Sequence, residues 1–329
     1  MIIIIAKEDD KHAVKVKEIL EGKHNEKVYI FDTSTFPTFS RLTGYFGNGS
    51  RVFSLTDGKG TDIELQSAKS FWWRRPQGVS LDAAITDPQV RSFTYTECIS
   101  AVYGMLRGCS GLWVNDVCND DRADYKPNQL KTAVEAGFTI PETLITNDPE
   151  KVVDFWRRHN ESVVYKSFNQ RGIIWCPTRL LKAEDMKSLE TVRYAPVIFQ
   201  PLVPGNRDIR VTVIGERIFA TEFIIQDERI IDYRLEMRPE ACRPHTLPAE
   251  MRDKLIRFMR ILGLEYGGID FRLTPGGEYV FFEINTAGEF MYLQELTGQP
   301  IAEAMADHLA KGKPANSPAF SSGNSGEAQ

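Results

Sequence analysis

The sequence predicts an α/β (α+β) protein of several packed parts, and three observations carry this. Its first third alternates short apolar strands with helix-spaced segments, and from residue 208 onward it is rich in strands. The chain has 329 residues, 42% of them hydrophobic and 26% charged, which is ordinary globular composition with length for two or three units.

In chain order, residues 2–6 read as a first strand. The apolar run holds only four isoleucines and an alanine and is followed by acids, unlike an export signal. Val14, Val16, Ile19 and Leu20 fall near helical spacing, and residues 28–31 form a second strand. Residues 43–60, with their Gly and Ser, read as a loop. Phe71-Trp72-Trp73-Arg74-Arg75-Pro76 is an aromatic strand ending on two cations and a proline, with Arg74 and Arg75 serving either a structural ion pair or substrate. A helix over 88–108 and a short strand over 111–115 complete a first part, 1–118.

The polar stretch Asn119-Asp120-Asp121-Arg122 opens a second part, 119–203. It contains a helix with Leu130, Ala133 and Val134 stopped by Gly137, a helix over 149–159, and strands over 163–166 and 197–200. A third part, 204–312, has strands over 210–214, 219–225 and 230–234, then a helix whose Met251, Leu255, Met259 and Leu262 share a core-facing stripe stopped by Gly263. Residues 313–329 are polar and Gly/Pro/Ser-rich, a composition expected to stay disordered.

Composition also excludes function classes. The formal charge is −5 with both signs interspersed, so neither a nucleic acid nor a membrane surface is an expected partner. No run approaches membrane-spanning length. Five cysteines without CxxC spacing suit reduced thiols in a cytoplasmic enzyme and make zinc an unlikely ligand.

The most informative segment is a hairpin, residues 266–273 and 278–285 around the turn Thr274-Pro275-Gly276-Gly277. If Leu273 pairs with Glu278, Asp270 lies opposite Phe281; a shift of two residues sets it opposite Glu283. Either register gathers Asp270, Glu283 and Asn285 on one face and turns Phe282 and Ile284 toward a core. Two carboxylates and an amide oxygen suit Mg2+, a hard cation that completes its shell with water and phosphate oxygens. The plainer reading is a solvated strand face. Lys126, before a helix, and Lys166, ending an apolar strand, are candidate phosphate cations; each also has an ordinary surface-lysine reading.

Lys126, Lys166, Phe199-Gln200-Pro201-Leu202-Val203, Asp208-Ile209-Arg210, Gly268-Ile269-Asp270 and Glu283-Ile284-Asn285 occur in the order found in ATP-grasp ligases. Across roughly residues 1–312 the sequence resembles the microviridin and graspetide macrocyclases of that superfamily. The supporting phrases include Phe71 to Pro76 and Ala136-Gly137-Phe138-Thr139-Ile140-Pro141. The resemblance implies an ATP-grasp fold: a pre-ATP-grasp domain, a central domain and a C-terminal antiparallel sheet. It implies ATP held by Lys126 and Lys166 at the phosphates, by the backbone of Gln200, Leu202 and Val203 at adenine and by Asp208 at the ribose. Magnesium would sit on Asp270, Glu283 and Asn285, with Arg210, Arg234 and Lys166 as the catalytic cations.

The implied partner is a ribosomal precursor peptide, leader plus core, whose Asp or Glu side chains are joined to Ser, Thr or Lys. The leader is expected near residues 216–238 or the helix over 149–159, and a homodimer fits a β-rich surface. Two departures stand out. Ser167-Phe168-Asn169-Gln170-Arg171-Gly172 has one glycine where relatives carry a Gly-rich flap, and Thr286 follows Asn285 where proline is usual. A small-substrate ligase like glutathione synthetase or a glutamate-adding enzyme, and a catalytically idle peptide binder, are the competing readings.

Overall fold

The computed structural model describes residues 1–312 except 48–49, 169–176, 227–230, 232–233 and 235–237. The flap at 169–172 and the tail 313–329 lie outside the described residues. The chain forms two compact units: Met1–Val114 together with the C-terminal helix from Glu303, and Asn115–Ala302.

In the first unit, β1 (Ile2–Ile5), β2 (Val28–Phe31), β6 (Ser70–Trp73) and β7 (Leu112–Val114) form a parallel sheet in the order β2-β1-β6-β7. All four isoleucines of β1 are fully buried, as a central parallel strand requires. The connecting helix α1 (Lys11–His24) is capped by Asp10, which accepts from the Ala13 amide at 2.9 Å. Arg74 is buried beside the Asp10 carboxylate (3.5 Å) and His12 (3.1 Å), so the structural ion pair is its observed role.

The segment expected to be a loop is instead an antiparallel sheet of β3 (Arg41–Gly47), β4 (Ser50–Thr56) and β5 (Asp62–Glu64). Glycine there serves packing: a Cβ on Gly44 would lie 2.6 Å from Met105 Cε of α2 (Pro88–Arg107).

In the second unit, α3 (Val117–Asp124) and α4 (Lys126–Ala136) precede β8 (Leu144–Thr146), α5 (Pro149–Arg158), β9 (Val163–Lys166), β10 (Arg179–Leu180) and β11 (Val197–Pro201). These strands form a sheet in the order β10-β9-β11-β8, and Val152, Phe155 and Trp156 of α5 pack with Val163 and Phe199. A larger antiparallel sheet follows, β14-β13-β12-β15-β16, from β12 (Arg207–Ile214), β13 (Arg217–Ile224), β14 (Cys242–Pro244), β15 (Tyr266–Leu273) and β16 (Tyr279–Asn285). Its rear face packs on α4 and α6 (Ala249–Leu262), and the expected stripe Met251, Leu255, Met259 and Leu262 is buried there. Gly137 (φ +91) and Gly263 (φ +69) stop their helices in the left-handed conformation, as expected. Helices α7 (Met291–Thr297) and α8 (Ile301–Lys311) end the chain's described part.

The strand expected over 230–234 lies mostly outside the described residues; of its described members, Ile231 and Arg234 lie in no strand, and β13 pairs with β12 and β14. Glu222 secures that edge. Arg243 Nε donates to its carboxylate at 2.8 Å, and Arg207 binds the other oxygen. Burial alone would push Glu222 up, but the two guanidinium groups outweigh it and hold the carboxyl down to about 2. A depressed carboxyl adds stability above its unfolded value of 4.5 and loses it as pH falls toward 2. Chemical denaturation at a series of pH values is therefore expected to show stability falling across this window. In Glu222→Gln that slope should be shallower and the neutral-pH stability lower.

Candidate active site

The front face of the large sheet is a grid of side chains set by register. Across one row Arg210, Asp270 and Glu283 are directly opposed on β12, β15 and β16; the row above pairs Asp208 with Arg272, and the row below pairs Thr212 with Gly268 and Asn285. Alternation puts Asp208, Arg210 and Thr212 on this face and Ile209, Val211 and Val213 in the core behind it.

The hairpin obeys neither expected register throughout. Leu273, Arg272 and Phe271 pair with Tyr279, Val280 and Phe281, then Asp270 pairs with Glu283, so Phe282 is an inserted residue in a β-bulge. The consequence reverses one expectation: Phe281 is fully buried in the core, whereas Phe282 turns to the front face beside Glu283. Core residues Phe281 and Ile284 are three apart, a spacing that a regular strand cannot place on one face.

The front face lines a pocket of about 710 Å3, open to solvent. Lys166, Gln200, Leu202, Val203, Asp208, Arg234, Asp270 and Glu283 all line it. Lys126 and Arg210 join through ion pairs: Lys126 Nζ lies 2.7 Å from Glu283 Oε2, and Arg210 Nη1 donates to Asp270 Oδ2 at 2.7 Å. Asn285 stands one row below, its Oδ1 accepting from the Ala287 amide at 3.2 Å. Every sequence-predicted site residue thus falls in or beside one cavity, although Asp208 is gripped by the fork of Arg272.

Local structure explains how several residues arrive. Lys126 is the first residue of α4, where Pro127 suits the opening turn. Lys166 ends β9 and is 9% exposed. Gln200 is buried and donates to Thr143 Oγ1 at 2.9 Å, which fixes the end of β11. The Leu202 amide donates to Ser162 O at 2.9 Å, just beyond the end of β11.

Burial pushes Asp270 up to about 6 against the pull of Arg210, and the Glu283 charge adds to the rise. For Glu283 burial acts in the same direction, but Lys126 and Lys166 outweigh it and hold it down to about 2. Burial lowers Lys166 to about 8, against the attraction of Glu283. Two carboxylates facing each other thus call for positive charge. Asp270 Oδ1 is buried and has no hydrogen-bond partner among the described residues. No group of three or more His, Cys, Asp or Glu placed for a metal occurs among those residues. Two carboxylates and an amide fit Mg2+, which takes few protein ligands and keeps positions for phosphate and water.

Arg272, a pocket residue the sequence patterns did not single out, follows Asp270 by two positions, so strand alternation could have found it; Phe282, expected in the core, reaches the pocket through the bulge.

The RimK-like ATP-grasp domain family matches residues 123–309, more than half of the chain. The chain belongs to the RimK-like ATP-grasp family. Residues 1–121 match the MvdD pre-ATP-grasp domain. Among solved structures, the ATP-grasp chain is similar to macrocyclase MdnC of Microcystis aeruginosa MRC, bound with precursor peptide MdnA, at 30% identity and a TM-score of 0.83, covering 94% of this chain and 100% of that one. A Chryseobacterium gregarium RiPP-associated ATP-grasp ligase in complex with ADP and a leader and core peptide has 27% identity and a TM-score of 0.86, with 94% and 96% covered. The ligase PsnB, complexed with a phosphomimetic variant of a minimal precursor, Mg and ADP, has 26% identity and a TM-score of 0.73, with 94% and 97% covered. No curated protein matches significantly. The expected ATP-grasp fold and likeness to the peptide macrocyclases are borne out.

The bulge yields a two-residue test. Phe281→Ala should destabilise the fold by about 3–5 kcal/mol, while Phe282→Ala, at the pocket wall, should cost the fold far less. Urea unfolding of both variants measures this, and equal losses would refute the bulged register.

Proposed function

We propose that the protein is an ATP-dependent ligase. It activates Asp or Glu side chains of a ribosomal precursor peptide as acyl phosphates and joins them to Ser, Thr or Lys side chains of the same peptide. The observation that carries this is the convergence of Asp270, Glu283, Arg210, Lys126 and Lys166 on one pocket. It is supported by likeness to peptide-bound ATP-grasp ligases over 94% of the chain.

In this reading the Val203 amide and Pro201 carbonyl pair with adenine, while the Leu202 side chain forms wall, because the Leu202 amide is already committed to Ser162. Lys126 and Lys166 hold phosphate oxygens. Magnesium, when bound by Asp270, Glu283 and Asn285, would neutralise charge on the transferring phosphoryl group. A peptide carboxylate oxygen attacks the γ-phosphorus and ADP leaves. The hydroxyl or amine then attacks the acyl carbon, loses its proton and expels phosphate. Arg210 and Arg234 present planar cationic forks suited to the phosphoryl oxygens in both steps.

The parts 119–203 and 204–312 would hold the nucleotide, and 1–118 would complete the ligase. Leader contact is assigned to 216–238 or α5. A homodimer formed through a β-rich surface belongs to the same reading. Among the described residues no helix is long and apolar enough to cross a membrane; the proposed place of action is the cytoplasm.

Incubation with ATP, Mg2+ and a precursor peptide encoded beside the protein should remove one water per ring by mass spectrometry. ATP consumed on free amino acids but never on such peptides would favour a small-substrate ligase. Asp270→Ala and Glu283→Ala should abolish ATP turnover while staying folded; a tenth or more of wild-type activity would exclude their metal role. Lys166→Met should lose about 2–4 kcal/mol of transition-state stabilisation, read from kcat/KM.

A further inference from the structure

Arg272 is 4% exposed and stands on β15 two residues from Asp270. A guanidinium has five N–H donors, and each has an acceptor here. Nε and one Nη2 hydrogen grip the Asp208 carboxylate across the sheet. The other Nη2 hydrogen reaches Ile231 O at 2.9 Å, and Nη1 donates to Gly205 O at 2.8 Å and Val203 O at 3.3 Å.

These acceptors come from three stretches around the pocket: the loop that holds Val203 and Gly205, β12 at Asp208, and the stretch of Ile231. Val203 ends the segment facing adenine. Gly205 makes the turn into β12 at φ +120, where a Cβ would lie 2.7 Å from Leu273 O, so that only glycine lets the turn close on β15. Ile231 belongs to the segment that carries Arg234, and both line the pocket. The guanidinium carbon also lies 5.8 Å from the centre of the Phe282 ring, and Lys166 Nζ lies 6.0 Å from it, so one ring contacts two cations.

We propose that Arg272 is a positioning residue of the nucleotide pocket, a five-donor clamp that sets ATP affinity by fixing Val203, Gly205 and Ile231 against the strand bearing Asp270. The proposal rests on the reading that this pocket binds ATP. Its chemistry requires the fork: lysine has the charge but only three donors on one atom, and cannot span acceptors from three stretches.

The test compares wild type, Arg272→Lys and Arg272→Gln by calorimetric titration with ADP and Mg2+, by KM for ATP and kcat, and by thermal melting. Expected are an ADP Kd and an ATP KM raised about tenfold or more in both variants, with kcat at saturating ATP within about threefold of wild type, the pattern of lost uniform binding. A lowered melting temperature with unchanged ADP affinity would reduce Arg272 to a structural role and overturn the proposal. ADP affinity within about twofold of wild type in Arg272→Lys would do the same by showing that charge alone suffices. Should Arg272→Gln not fold, Arg272→Lys, which retains the charge and a long stem, decides the matter. Wild-type protein that binds no ADP would instead overturn the nucleotide reading, and this inference with it.

Discussion

Asp270 and Glu283 face each other directly on neighbouring strands, in a site where burial already disfavours their charge. Like charges so opposed weaken a sheet and demand compensation. The surrounding structure supplies it from three directions. Arg210 flanks Asp270 on the next strand, Lys126 reaches Glu283 from the first turn of α4, and Lys166 approaches from the end of β9 in the other sheet. The two sheets and α4 are thus tied to one electrostatic problem, and a cation-rich pocket is its result. That pocket suits a substrate that is itself a polyanion carried with a divalent cation.

The site remains ordered because the sheet's other face is dry. Phe138, Phe258, Phe271 and Phe281 pack together: Phe138 and Phe281 each lie 5.2 to 5.9 Å, ring centre to ring centre, from the other three. Phe281 reaches that cluster while its neighbours Phe282 and Glu283 both face the pocket, which the single inserted residue makes possible. One bulge therefore serves both faces: it completes an aromatic core behind and adds an aromatic wall to the pocket in front. Arg272 and Lys166 bracket that wall, so the same ring lies between the strand bearing Asp270 and the end of β9.

Much of this was written in local pattern. Helix stops at Gly137 and Gly263, the apolar stripe of α6, the isoleucine strand and the hairpin around residues 274–277 depend on nearest-neighbour chemistry, namely left-handed glycines, a 3.6-residue period and turn-forming residues. Lys166, Asp270 and Glu283 stand out by residue type at strand positions, and Lys126 by its place before a helix, whereas Asp208 and Arg210 are implied only by the resemblance to ATP-grasp ligases.

What only the tertiary structure decided concerns pairing between distant segments. Residues 43–60 look like a loop because their glycines lower strand propensity, yet Met105 packing on Gly44 makes a strand there useful. Asp208 offers the same carboxylate in any register, but the strand opposite makes it the partner of Arg272. Phe281 and Phe282 are identical in sequence terms, and a bulge decides which is core. Sequence by itself determined which chemical groups this protein brings to its site, because those are properties of single residues. Register, bulge and ion-pair partner arise from contacts between segments far apart in the chain, and so the tertiary structure alone decided which of those groups face one another.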